Sequence, residues 1–150
     1  DIYLPDMKYA EGQDAESLSR VDDYPLFNLA AVKEMYRQVG ALKTDEEGLA
    51  VRGLLVRHLV LPAGRSNSVQ VLQRLGDLSR RIPISLMSQY RPTYQSLHSP
   101  PLHRSLEPQE YESVVARAEE LGFEEIFIQE LESASVYHPD FTREDPFASK

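Results

Sequence analysis

The chain has 150 residues, 41% of them hydrophobic, and 16 basic against 24 acidic side chains give a formal charge of −8. That apolar content suffices for one domain with a core, and the acidic exterior disfavours nucleic acid or an anionic membrane surface, which would be repelled. The absence of cysteine removes disulfides, thiolate nucleophiles and thiolate metal ligands from these residues. No apolar run approaches the roughly 18 residues of a membrane span, so a cytoplasmic location is the default expectation.

The chain opens on Asp1 and runs directly into Ile2-Tyr3-Leu4-Pro5-Asp6-Met7-Lys8, where β-prone residues give way to Pro5 and charges. This predicts a short strand ending in a functional loop. An apolar strand as first element, without start methionine, cap or leading loop, is the pattern expected of a piece cut from a longer chain. Polar residues from Glu11 to Asp23 read as a connection. Between Asn28 and Gly40, Leu29, Val32, Met35, Tyr36 and Val39 recur at helical spacing, with Gly40 placed to end the helix.

Gly53 to Pro62 is a nearly continuous apolar run interrupted by Arg57 and His58, as expected of a strand covered on both faces. After a turn at 63–67, Val69, Leu72, Leu75 and Leu78 predict a helix that reaches the basic pair Arg80-Arg81. Ile84 to Tyr90 is the third strand. A loop with Pro92, Pro100 and Pro101 leads to a helix with Pro108 in its first position and Tyr111, Val114, Val115, Ala118 and Leu121 on one face, stopped by Gly122. Phe123 to Gln129 is the fourth strand, and residues 130–150 read as an irregular tail. No internal repeat is visible.

Strands and helices alternate, which predicts an α/β fold of parallel βαβ units with right-handed crossovers over residues 1–129. No strand is followed by G-x-G-x-x-G, so a doubly wound dinucleotide fold is disfavoured against the later part of a partial (β/α) TIM-like barrel. Such barrels carry their site at the C-terminal strand ends. Asp6 and Lys8 end the first strand, and Arg57 and His58 sit in the second. Gln89, Tyr90 and Arg91 end the third, with Gln129 and Glu130 at the fourth. Together they offer a carboxylate to hydroxyls or an ammonium and cations to a carboxylate, although strand ends are also polar simply because they meet solvent.

His58, alone in a buried strand, reads as a hydrogen-bonded core residue rather than a base or ligand. His98 and His103 flank Pro100-Pro101 without ligand spacing, so no metal site is assigned. The acidic runs Asp45-Glu46-Glu47 and Glu124-Glu125 read as solvated faces or helix-end charge, and Met35 and Met87 as core.

Four stretches in combination resemble the radical S-adenosylmethionine (SAM) superfamily, specifically proteins similar to pyruvate formate-lyase activating enzyme. They are Asp1 to Tyr9, Ala31 to Gly40, Arg52 to Pro62 and Ile84 to Tyr90. Tyr111 to Gln129 and Val136 to Phe141 also look like a poorly characterised branch of that family. The resemblance implies a barrel in which a C-x-x-x-C-x-x-C loop, here expected in a missing N-terminal part, holds a 4Fe-4S cluster. Reductive cleavage of SAM there would give a 5'-deoxyadenosyl radical, which in the best-known members takes hydrogen from a glycine of a partner enzyme.

The family's SAM-contacting Asp-x-Lys matches Asp6, Met7 and Lys8. The arginine before its Val-x-Pro-Gly strand end matches Arg57, with Pro62 in place and Ala63 inserted before Gly64. A SAM-contacting histidine in a Pro-Tyr-His context is replaced by Gln89-Tyr90-Arg91. The resemblance thus implies SAM as ligand and a protein substrate as candidate partner, with this piece inactive alone. A non-catalytic protein-binding module, and a different barrel enzyme using Asp6 and Lys8 for acid-base or Schiff-base chemistry, stand beside it.

Overall fold

The computed structural model describes residues 1–129; Glu130 and the expected tail lie outside the described residues. Strand β1 (Ile2–Tyr3) pairs in parallel with β3 (Ala50–Leu54), which continues through Leu55 into β4 (Val56–Leu59). The ladder runs past the formal end of β1. Backbone N–H groups of Gly53, Leu55 and Arg57 donate to the carbonyls of Asp1, Tyr3 and Pro5, and Met7 N–H donates to Arg57 O, at 2.9–3.1 Å. β4 pairs in parallel with β5 (Ile84–Met87), and β5 with β6 (Ile126–Ile128). The parallel strands therefore lie side by side in chain order. The protein is α/β, as the alternation of patterns implied.

Helix α2 (Tyr24–Val39) precedes β3, α3 (Ser68–Leu78) joins β4 to β5, and α4 (Pro108–Glu120) joins β5 to β6. α2 buries Val32 and Val39 and α4 buries Tyr111, Val114 and Ala118 of their expected stripes, whereas α3 buries Leu72 and Leu75 together with Val71, and the expected Val69 is 48% exposed. These meet Leu54, Val56, Val60, Ile84 and Leu86 in one core. Truncating a fully buried leucine such as Leu75 to alanine would cost about 2–5 kcal/mol. Pro108 opens α4, where Glu107 and Glu110 form a reciprocal capping box.

Burial along the second strand alternates, which corrects the expectation of two covered faces. Leu54, Val56, His58 and Val60 are buried, whereas Leu55, Arg57 and Leu59 are more accessible. Parallel register places Asp6, Arg57, Ser85 and Phe127 in one cross-strand row on the face away from the main core.

The segment read as a connection from Glu11 to Asp23 holds a helix, α1 (Gly12–Ser19). It buries only Ala15, too little apolar periodicity to announce itself. α2 starts at Tyr24, four positions before the expected Asn28, with Pro25 in its first turn.

A further strand, β2 (Lys43–Thr44), pairs antiparallel with β3 across the acidic run, where Asp45 Oδ1 accepts the N–H groups of Glu47 and Leu49. Asp45 is therefore a turn former as well as a surface charge. Gly53 lies at φ 124°, and a Cβ there would sit 2.5 Å from the Ala41 carbonyl oxygen, so the crossing of these segments requires glycine.

Candidate functional site

The C-terminal ends of β1, β4 and β5 border a cavity of about 590 Å³, within the range of small-molecule sites. Asp6, Lys8, Arg57, Gln89 and Tyr90 all line it. Two residues of the SAM-contacting set implied by the resemblance do not. Met7, between Asp6 and Lys8 on an extended backbone, turns the other way and is only 2% exposed in the main core. Arg91 is exposed in the following loop. Gln129 is absent from the lining too; its backbone N–H donates to the Tyr111 hydroxyl.

Leu59 and Met87 add apolar lining, and Met87, half-buried and outside both apolar clusters, lines the cavity rather than the core expected from sequence. The lining also includes Ser17 of α1 and Thr93, Ser96 and Ser99 of the segment after β5. Sequence reasoning missed these hydroxyl-bearing residues, because α1 was not legible and the loop carries no periodic signal. Within the loop, the Tyr90 hydroxyl donates to the Leu102 carbonyl at 2.8 Å.

Asp6 Oδ1 accepts from Arg57 Nε at 2.8 Å, fixing the carboxylate and guanidinium side by side. Both side chains are partly exposed, 33% and 45%, so the pair contributes about 0–1 kcal/mol to stability. Among the described residues, Asp6 Oδ2, the terminal nitrogens of Arg57 and the Lys8 ammonium have no protein partner. The cavity thus presents one carboxylate oxygen and two cationic groups with free hydrogen-bonding capacity.

The backbone under these charges is held from several sides. The Asp6 carbonyl accepts from the Tyr24 hydroxyl at 3.0 Å and from Asn28 Nδ2 at 2.8 Å. Lys8 N–H donates to the same Tyr24 hydroxyl at 3.1 Å. Burial chiefly, with Asp6 nearby, raises the Tyr24 pKa, so this hydroxyl keeps its proton.

His58 is fully buried, with Nδ1 2.6 Å from the Met7 carbonyl and Nε2 2.9 Å from Ser68 Oγ. A carbonyl only accepts, so Nδ1 carries the proton and Nε2 accepts from Ser68. Ser66 Oγ, 3.0 Å from Ser68 Oγ, donates to it, and itself accepts from Leu61 N–H at 3.0 Å. The directed chain Leu61, Ser66, Ser68, His58, Met7 ties the turn after β4 to the end of β1. Its burial and two hydrogen bonds match the hydrogen-bonded core histidine expected from sequence for His58, and burial lowers its pKa to about 4, which keeps it neutral.

The turn after β4 is fastened from outside as well. Glu110 Oε1 accepts from Ala63 N–H at 2.7 Å, while Arg104 binds both carboxylate oxygens at 2.8 Å. Arg104 hydrogen bonds hold the Glu110 pKa down, at about 2.

For metal binding, the described residues contain no cluster of three or more potential His, Cys, Asp or Glu ligands. With no thiolate in the chain either, these residues do not fit an iron-sulfur cluster. Among the described residues no helix is long and apolar enough to cross a membrane.

No protein-family model matches the chain, and no solved structure matches it. It is similar to the uncharacterized protein MJ0674 of Methanocaldococcus jannaschii, with 26% identity over 128 residues, covering 85% of this chain. The chain spans about a third of that relative's length, 34%.

Proposed function

We propose that the chain forms the later part of a TIM-like (β/α) barrel of the radical SAM type, similar to pyruvate formate-lyase activating enzyme, and supplies part of the wall that binds SAM. The observation that carries this reading is the gathering of Asp6, Lys8 and Arg57, with Gln89 and Tyr90, around one cavity at consecutive parallel strand ends. Strands in chain order suit a barrel sector, and both cationic groups suit the carboxylate of an amino-acid ligand. Asp6 Oδ2 suits its ammonium or ribose hydroxyls.

SAM bound beside a reduced 4Fe-4S cluster would supply a 5'-deoxyadenosyl radical; cluster ligands are assigned to the rest of the protein. This chain's residues bind and orient. Lys8 and Arg57 compensate the ligand's negative charge, and Leu59 and Met87 offer apolar surface to its uncharged part. Radical transfer to a glycine of a partner protein belongs to the proposal through the resemblance.

The test is anaerobic incubation of the natural full-length protein with SAM and a reductant, after cluster reconstitution. The expected result is 5'-deoxyadenosine and methionine. A reconstituted protein that binds SAM yet yields neither would overturn the reaction, and one that binds no SAM would overturn the site.

A further inference from the structure

We propose that Tyr24, Asn28 and His58 are positioning residues that act on the cavity's ligand only through the backbone of Asp6, Met7 and Lys8. The inference rests on the reading that the cavity binds SAM, and it concerns residues that face away from the ligand: none of the three lines the cavity.

Where the ladder of β1 ends at Met7, four consecutive backbone groups are held, three of them by side chains of other elements. Met7 N–H uses Arg57 O, Asp6 O takes Tyr24 and Asn28, Met7 O takes His58, and Lys8 N–H takes Tyr24. One hydroxyl thereby bridges positions 6 and 8, the two whose side chains enter the cavity, while His58 holds the intervening carbonyl. This arrangement leaves little freedom for the Asp6 and Lys8 Cα–Cβ directions, which is the condition for presenting two opposite charges in fixed relation.

Asn28 adds an independent indication. Its Oδ1 is buried without a hydrogen-bond partner among the described residues. An unpaired buried amide oxygen is unfavourable for stability, so the side chain is better explained by what its Nδ2 does for Asp6 than by packing. The amide orientation follows from Asp6 O, which can only accept.

Double-mutant cycles on SAM affinity in the natural full-length protein separate this from an ordinary structural role. Tyr24→Phe keeps the ring and its edge contact with Tyr9 but deletes both backbone bonds. It should weaken SAM about threefold or more, whereas in the Lys8→Ala background its effect should shrink to less than about twofold. Asn28→Ala, cycled against Asp6→Asn, gives a second arm should the first variant fold poorly. Equal loss in both backgrounds, or no loss from either single variant, overturns the positioning role. An unchanged affinity in Lys8→Ala itself overturns the site reading instead, so the two failures are distinguishable.

Discussion

His58 accepts a hydrogen bond from Ser68 at 2.9 Å, because its other ring nitrogen is committed to donating to Met7 O. Protonation would give Nε2 a hydrogen where Ser68 already presents one, in a site with no exposed surface. The unfolded chain binds that proton near pH 6.5, the folded chain only near 4. The neutral histidine's contribution is therefore fully present above about pH 6.5 and lost as pH falls from there towards 4, by roughly 3 kcal/mol in all. Chemical denaturation of wild type and His58→Gln at pH 7 and pH 4.5 should show the wild type losing more stability than the variant. Equal losses would place the acid sensitivity elsewhere.

Ala63 sits at φ 53°, ψ 33°, a left-handed conformation that costs an L-residue about 1–2 kcal/mol relative to glycine. Its side chain is exposed, and its N–H bond to Glu110 survives substitution. Offset by the greater unfolded-state freedom of glycine, Ala63→Gly should stabilise by about 0.5–1 kcal/mol. Ala63→Val should destabilise. The denaturation midpoint reads both.

The Tyr111 hydroxyl donates to Leu86 O at 2.8 Å and accepts from Gln129 N–H at 2.9 Å, linking the ends of β5 and β6. Tyr111→Phe leaves the ring packed and those backbone groups unpaired, for a loss of about 1–3 kcal/mol. Amide exchange at Gln129 should accelerate. Unchanged exchange would show that the hydroxyl does not secure this edge.

On the face away from α2–α4, Ile2, Leu4 and Phe127 are 41%, 53% and 42% exposed. In the proposed barrel this face is interior, so the 150-residue chain alone should self-associate. Sedimentation should show concentration-dependent species that Leu4→Thr reduces. A monomer at all concentrations would favour a self-sufficient binding module.

The three main helices were legible because Val32, Leu72 and Val114 belong to regular stripes, and the second strand because it is a long apolar run. Asp6 and Lys8 were legible as a pair because alternation along a strand puts both on one side, and the same rule sends Met7 into the core. Helix α1 was not, since Ala15 alone carries its buried face. Nor were the partners of the β1 end. Tyr24 and Asn28 look like ordinary helix-start residues until the fold brings them onto a carbonyl 18 and 22 positions earlier. Long-range hydrogen bonds to backbone leave no pattern in composition or periodicity.

If Lys8 faces SAM as proposed, equilibrium titration of SAM into the natural full-length protein should register its loss. Lys8→Ala removes a charge-assisted hydrogen bond of roughly 1.5–3 kcal/mol and should weaken binding about tenfold or more, with cluster content unchanged. Arg117→Ala, which removes a cation in a surface pair with Glu120, should leave the affinity as it is. Wild-type affinity in Lys8→Ala would make Lys8 a surface charge and remove SAM from this cavity.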